Sequence, residues 1–151
     1  MPTAASTSRG TATRTNLGFL LAKASQRWNE LLYEQFVARG FGEVRPAYGS
    51  ILLPLFEQDG LRMGELARRA RLSKQTMTTM VRLLEREALV SRKADPDDGR
   101  ARLIHLTPRA QEFRPVADEV LQNLEARVAE RLTKKQATAL KSALKEGVIE
   151  L

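Results

Sequence analysis

The sequence predicts a mainly α-helical chain with a small β-hairpin wing: a winged helix-turn-helix with dimerisation helices at both ends. Three observations predict this class. Apolar residues recur at the helical spacing towards both ends of the 151 residues. Two short helical segments separated by a tight turn lie in the middle of the chain. Two strand-like segments around a turn-rich stretch follow them.

Residues 16–151 are predicted to form one domain, a common size for a single core. Residues 46–107 are its predicted winged helix-turn-helix. Residues 16–45 and 108–151 are predicted dimerisation helices, because they carry more apolar surface than one small winged domain can cover. Residues 1–15 are rich in Thr, Ser and Ala and contain no acidic residue. We interpret them as a flexible N-terminal arm, with an organelle transit peptide as the alternative.

The sequence of the N-terminal half predicts two helices before the central turn. The first begins at Asn16, whose side chain can cap it, and ends at Gly40. The second runs from about Pro46 to Glu57, and Pro54 is expected to kink or shorten it. Residues 59–60, Asp-Gly, predict a turn.

A short helix over about residues 64–70 and a tight turn at residues 71–72 lead to the predicted recognition helix. Ser73 is a good N-cap for that helix, which is predicted to run from about Lys74 to Glu87 with one apolar face. Its other face presents hydrogen-bonding side chains and no acidic residue before Glu85. A helix of this kind fits the major groove of B-DNA and reads base edges from its N-terminal end. An ordinary amphipathic surface helix is the alternative.

The wing is predicted from two strands, about residues 89–93 and 101–106, joined by a stretch of turn-forming residues. Arg100 closes the tip, where an arginine can enter the minor groove of DNA. We expect Asp98 to hold the guanidinium group of Arg100 in a bidentate pair and Asp95 to shape the turn. An ordinary surface turn with balanced charge is the alternative.

The C-terminal segment predicts two further helices. Thr107 and Pro108 predict the start of a long one, with Thr as the N-cap and Pro in the first turn. Pro115 in its second turn is expected to bend it. Thr133 and Gln136 predict a capping box at the start of the last helix.

The distribution of charge supports a DNA-binding site in the central region. The net charge is +7, and residues 61–110 hold 12 Lys and Arg against 6 Asp and Glu. Concentrated positive charge favours phosphate binding and the release of counterions. This segment contains no aromatic residue, which favours duplex DNA over RNA or single strands. The predicted DNA-binding residues are Ser73, Lys74, Gln75, Thr76, Thr78, Thr79, Arg82, Asp98 and Arg100.

The hairpin and its flanks closely resemble the MarR family of transcriptional regulators. The family's wing signature, an aspartate-rich turn ending in arginine and then a strand and Leu-Thr-Pro, is matched by residues 95–100 and 106–108. The resemblance extends over roughly residues 16–148. It implies a homodimer that grips a palindromic operator with two winged domains, and it makes Asp98 and Arg100 the wing pair. It also implies that a small molecule can change the spacing of those domains.

The resemblance further implies a ligand site, because MarR-like proteins often bind aromatic acids where the dimerisation and DNA-binding regions meet. Trp28, Arg45 and Tyr48 are the ligand candidates by analogy, with core packing as the alternative. His105, the one histidine, is a candidate pH sensor or ligand contact, with a structural role as the alternative. We therefore expect a transcriptional repressor that binds double-stranded DNA sequence-specifically and is released from it by a small aromatic or phenolic ligand.

Other functions fit the sequence less well. The alternative is a winged-helix module that binds a protein instead of DNA, since the same side chains suit an acidic partner. An enzyme is not expected: with no cysteine, one histidine and no Gly-rich phosphate loop, no catalytic residue, metal site or cofactor is predicted. No apolar run approaches the ~20 residues of a membrane span. The lack of cysteine agrees with a reducing cytoplasm.

Overall fold

The computed structural model describes residues 10–151 and has the expected mainly helical class with a small antiparallel sheet. Residues 1–9, most of the predicted arm, lie outside the described residues. The elements are α1 (Leu17–Ala38), a 3₁₀ turn (Pro46–Tyr48), α2 (Gly49–Glu57), β1 (Leu61–Arg62), α3 (Met63–Ala70), α4 (Lys74–Arg86), β2 (Val90–Asp95), β3 (Asp98–Leu106), α5 (Pro108–Ala129), α6 (Lys134–Leu144) and a π-helical turn (Lys145–Ile149).

The helix ends follow local signals in the sequence. The side chains of Asn16 and Thr107 accept hydrogen bonds from backbone N–H groups three residues further on, as N-caps do. Gly40 lies just beyond α1 with a φ of +84°, a conformation that glycine adopts without strain. Thr133 and Gln136 form the complete capping box of α6. These predicted boundaries are confirmed.

Of the two effects expected of Pro54, a kink or a shorter helix, the shortening is not seen, because α2 continues through Pro54 to the predicted end at Glu57. Proline removes one backbone hydrogen bond and crowds the preceding turn. The apolar face of α2 is fully buried, and we attribute the continuity of the helix to that packing. α5 likewise runs through Pro115.

The wing belongs to a three-stranded sheet with the strand order β1-β3-β2, so the predicted two-stranded hairpin was incomplete. Residues 61–62 pair with residues 103–104 of β3. A strand of two residues shows no alternation of apolar and polar positions, and the sequence pattern could not reveal it. β2 and β3 also extend further than predicted and leave only residues 96–97 as the loop.

The core lies where α2, α3, α4 and the base of the wing meet α1 and α5. Phe113 of α5 packs edge-on against Phe36 of α1, with 4.8 Å between ring centroids, and against Phe41 at 5.3 Å. α6 contributes no buried residue. The largest fully buried side chains are Ile51, Leu52, Leu55, Leu66, Met77, Leu84, Leu89, Ile104, Val44, Val81 and Val120.

Candidate nucleic-acid interface

The turn between α3 and α4 sets the start of the predicted recognition helix. Arg71 has a left-handed backbone, with φ of 55°, and ends α3. The backbone N–H of Leu72 donates to the carbonyl of Ala67 at 3.0 Å. Ser73 then caps α4, because its hydroxyl oxygen accepts from the N–H of Thr76 at 3.1 Å. The sequence prediction of a tight turn followed by a capped helix is confirmed.

α4 has one buried face and one face open to solvent. Met77, Val81 and Leu84 are completely buried against the core. The predicted DNA-binding side chains lie on the rest of the helix, and all are exposed except the partly buried Thr78. The exposed side chains are Lys74, Gln75, Thr76, Thr79 and Arg82, with Ser73 at the N-cap.

Two of the three threonines of this face, Thr78 and Thr79, have their hydroxyl hydrogens occupied. Thr78 Oγ1 donates to the carbonyl of Lys74 at 2.8 Å, and Thr79 Oγ1 donates to that of Gln75 at 3.1 Å. Each hydroxyl oxygen therefore keeps its lone pairs as acceptors, and each side chain keeps its methyl group. Such groups can accept from the amino group of a base or contact the methyl group of thymine.

The wing tip differs from the expected geometry at Asp98. Its Oδ1 accepts the backbone N–H of Arg100 at 3.1 Å, and its Oδ2 lies 3.8 Å from Nη2 of Arg62. The predicted bidentate pair between Asp98 and the guanidinium group of Arg100 is therefore wrong. The carboxylate is oriented by that backbone N–H and by the Arg62 guanidinium group, which comes from a distant part of the chain. The guanidinium group of Arg100 is exposed and forms no ion pair within residues 10–151.

Asp95 shapes the turn as expected, and it does so with a partner that the sequence did not indicate. Its Oδ1 accepts from the N–H of Asp97 at 2.9 Å. Its Oδ2 accepts from Nη2 and Nε of Arg62, at 2.7 and 3.0 Å. The Asp97 backbone N–H and the Arg62 guanidinium group hold the pKa of Asp95 below its usual value. Asp95 is 8% exposed and is the one buried charged side chain in the described part of the chain.

A second ion pair joins the wing to the recognition helix. Nε of Arg92, on β2, donates to Oε1 of Glu85, on α4, at 2.9 Å. Arg62 and Arg92 are the site residues that sequence reasoning missed. No local pattern signals them, because each pair joins different elements of the fold.

Of the 12 cations of residues 61–110, five form ion pairs with other side chains: Arg62, Arg68, Arg69, Arg92 and Arg109. In α3, Arg68 and Arg69 both pair with Glu65 and lower its pKa to about 2. These two arginines are partly neutralised within the chain. Seven other cations are exposed and form no ion pair within residues 10–151. They are Arg71, Lys74, Arg82, Arg86, Lys93, Arg100 and Arg102. This surface can therefore neutralise phosphate groups.

The predicted ligand residues do not all meet. Trp28 and Arg45 line a cavity of about 250 Å³ between α1, α2 and α5, whose other walls are mainly apolar. Arg45 also lies over the ring of Tyr33, 4.7 Å from its centroid. Tyr48 is not among the lining residues and is buried in the core.

His105 lies at the base of the wing, where its ring is next to Asp59 and Gly60. Its Nδ1 is 3.5 Å from Oδ2 of Asp59, whose Oδ1 accepts the N–H of Leu106 at 2.8 Å. The ring packs so closely on Gly60 that a Cβ there would come within 2.7 Å of it. This corner therefore requires a glycine, which also has a φ of +74°.

Within residues 10–151, no group of three or more His, Asp or Glu side chains comes together in a way that could hold a metal ion. No helix in this range has the length and apolar character required to cross a membrane.

Known proteins resemble this chain in sequence and in fold. Residues 46–101 match the model of the MarR family. The HTH-type transcriptional repressor Rv2887 of Mycobacterium tuberculosis (strain ATCC 25618 / H37Rv) is 36% identical over 92 residues. That match covers 61% of this chain and 66% of the relative, slightly less than two thirds of the relative's length.

Two solved structures share the fold over most of the chain. A probable transcriptional regulator from Pseudomonas aeruginosa has a TM-score of 0.75 and 25% identity, covering 89% of this chain and 98% of the other. The transcriptional repressor CouR, bound to a 23-mer DNA duplex, has a TM-score of 0.74 and 26% identity. Its match covers 86% of this chain and 90% of the repressor. The winged arrangement of α3, α4 and the hairpin is therefore shared with known regulators.

Proposed function

The chain belongs to the MarR family, and from that premise we propose that it is a transcriptional repressor that binds double-stranded DNA as a homodimer. One observation carries the proposal. The polar face of α4 and Arg100 of the wing are both exposed, and the Arg92–Glu85 pair joins the wing to α4. Seven cations of residues 61–110 form no ion pair within residues 10–151 and are free to meet phosphate. A helix for the major groove and an arginine for the minor groove are the two parts that such recognition needs.

The proposed homodimer is supported by the apolar side chains that the terminal helices leave in solvent. They lie on α1, α5, α6 and the π-helical turn, and they include Leu17, Leu20, Val128, Leu140 and Ile149. A two-fold interface covers the same patch on both copies. It would also place two α4 helices about one DNA turn, ~34 Å, apart, as a palindromic operator requires.

Binding of duplex DNA tests the proposal directly. We expect the full chain to bind a palindromic duplex, selected from a random library, with an affinity that falls steeply with salt, because several phosphates are neutralised per dimer. Arg100→Ala should weaken binding about tenfold, the cost of one specific groove contact. Fluorescence anisotropy at several salt concentrations measures both effects.

Arg114→Ala is the matched control, since it removes an exposed arginine of α5 outside the proposed interface. It should leave the affinity nearly unchanged. Equal losses for the two variants would contradict a role for the wing. Absence of any duplex binding at low salt would favour the alternative, a winged-helix module that binds a protein.

Release by a small aromatic or phenolic ligand is part of the proposal, and the cavity beside Trp28 and Arg45 supports it. Its apolar walls suit an aromatic ring, and Arg45 offers a cation to a carboxylate. Trp28 is the one tryptophan, so the tryptophan fluorescence of the protein comes from a residue that lines this cavity. We expect 4-hydroxybenzoate to quench it saturably and to weaken duplex binding, and Arg45→Gln to reduce both effects. Unchanged fluorescence at millimolar concentrations would contradict a ligand of this class.

A further inference from the structure

The side chain of Arg62 connects the helix-turn-helix to the tip of the wing. Arg62 is the last residue of β1 and the N-cap residue of α3, so its backbone is fixed by both elements. Its guanidinium group reaches Oδ2 of Asp95, 33 residues further along the chain, through Nη2 at 2.7 Å and Nε at 3.0 Å. Nη2 also lies 3.8 Å from Oδ2 of Asp98. One guanidinium group therefore faces both ends of the two-residue loop.

Asp95 lies where the hairpin changes register. The pairing between β2 and β3 shifts between Ala94 and Asp95, and Asp95 then opposes Asp98. One oxygen of Asp95 holds the loop through the N–H of Asp97, and the other accepts the two N–H groups of Arg62. The loop conformation and the link to β1 therefore depend on the same carboxylate.

The link continues to the backbone of Arg100. Asp98 faces Arg62 with one oxygen and accepts the N–H of Arg100 with the other, at 3.1 Å. The side chains of residues 92–94 and 96–100 are exposed, and none reaches the core. The Arg92–Glu85 pair holds the wing to α4 at residue 92, and beyond that residue the contacts of Arg62 are the side-chain link between the tip and the start of α3.

We propose that Arg62 is a positioning residue for the wing: by holding Asp95 and Asp98, it sets where Arg100 meets the DNA relative to α4. This inference rests on the proposed DNA-binding function. An arginine reads the minor groove through its width and potential, so its placement determines how strongly A·T-rich sequence is preferred. Arg62 therefore contributes to specificity without contacting DNA.

The Asp95→Asn variant tests this proposal by the direction in which the affinity for DNA changes. If Arg62 merely added positive charge near phosphate, removing its acidic partner would free that charge and strengthen binding. A positioning role requires the opposite result, because the amide accepts the guanidinium group less well and the tip loses its anchor. We expect Asp95→Asn to weaken binding severalfold, although it raises the net charge by one.

A double-mutant cycle tests whether Arg62 acts through Arg100. The selected duplex is titrated with the wild type, Arg62→Gln, Arg100→Ala and the double variant at one salt concentration. We expect Arg62→Gln to weaken binding about fivefold in the wild type and hardly at all when Arg100 is absent. A second duplex carries G·C pairs where the wing meets the minor groove. Arg62→Gln should lose less affinity for this duplex than for the selected one, because the variant removes the preference for A·T pairs.

Arg62→Lys separates geometry from charge and is the mildest change. Lysine keeps the charge but lacks the planar fork that donates through Nη2 and Nε together, so it should restore only part of the affinity. Thermal unfolding of each variant verifies that the fold is retained. If Arg62→Gln or Asp95→Asn unfolds, Arg62→Lys with and without Arg100→Ala provides the same cycle.

The outcomes distinguish this inference from the proposed function. If the wild type binds the duplex but Asp95→Asn strengthens binding, or if the losses from Arg62 and Arg100 are additive, the positioning role is wrong and the repressor function stands. If the wild type binds no duplex at low salt, the proposed function itself fails. Non-additive losses together with weaker binding by Asp95→Asn support the inference.

Discussion

The winged region and the terminal helices differ in where their apolar side chains lie. In the winged region Ile51, Leu66 and Leu84 are completely buried within one chain. In the C-terminal part α6 buries no residue, and Leu140 and Ile149 are 45% and 53% exposed. The core of the winged region is therefore completed within one chain, together with the inner faces of α1 and α5, whereas α6 and the outer faces of the terminal helices carry apolar surface that a single copy does not cover.

Two ion pairs that each join different elements show a similar contrast. In the winged region Arg62 pairs with Asp95, whose side chain is buried. In the terminal helices Lys141 of α6 pairs with Glu125 of α5, but both side chains are exposed, and such pairs add little stability. We infer that the winged region is fixed within one copy, whereas the position of α6 depends on a second copy.

The largest effect is expected from a charged side chain placed in the proposed dimer interface. Leu20 on α1 is 50% exposed, and Leu20→Asp would bury an unpaired carboxylate in the proposed interface. We expect the dimer dissociation constant to rise about a hundredfold, since such a charge costs several kcal/mol. Duplex affinity should fall with it, while the winged region stays folded. Analytical ultracentrifugation and anisotropy measure the two effects.

Leu53→Asp is the control, because Leu53 is similarly exposed, at 46%, but lies on α2. It should leave the dimer intact. A Leu20→Asp protein that dimerises as tightly as the wild type would place the interface elsewhere.

Much of the fold could be predicted because its signals are local. The caps at Ser73 and Thr133 and the turn before α4 depend on residues within a few positions of one another, and all were found. β1 and the contacts of Arg62 depend on residues more than 30 positions apart. No spacing rule could reveal them.

The errors at the site have the same origin. Asp98 was expected to pair with the nearest suitable arginine, Arg100, but a more distant one reaches its carboxylate. Tyr48 was expected beside Trp28, but it lies in a 3₁₀ turn, which rotates side chains differently from an α-helix and leaves Tyr48 in the core. Sequence reasoning thus located the recognition helix and the wing, but not the contacts between elements.

A smaller effect should come from removing one cap in each region. Ser73 and Thr133 each accept a backbone N–H at 3.1 Å, so Ser73→Ala and Thr133→Ala remove the same kind of bond. We expect Ser73→Ala to lower the free energy of global unfolding by about 1 kcal/mol, because α4 is part of the core. Thr133→Ala should mainly increase hydrogen exchange within α6, which has no fully buried residue. Urea unfolding and hydrogen exchange measure the two effects. Equal losses in the free energy of global unfolding for both variants would contradict the difference between α4 and α6.

The smallest effect is expected from acid titration of the winged region. Arg68 and Arg69 lower the pKa of Glu65 to about 2 from its usual 4.5. A lowered carboxylate pKa adds stability that is complete above pH 4.5 and is lost as the pH falls through 2. Glu65 is about one third exposed, so solvent and salt reduce this contribution.

The stability difference between the wild type and Glu65→Gln should therefore shrink as the pH falls from 4.5 towards 2, and it should be smaller in 1 M NaCl at every pH. Glu34→Gln is the matched control, because it removes an exposed carboxylate of α1 that forms no ion pair with any residue from 10 to 151. Urea unfolding at each pH measures the three proteins. If Glu65→Gln and Glu34→Gln follow the same curve, the ion pairs of α3 add nothing to the winged region. Its rigidity would then rest on the buried side chains and the links to the wing.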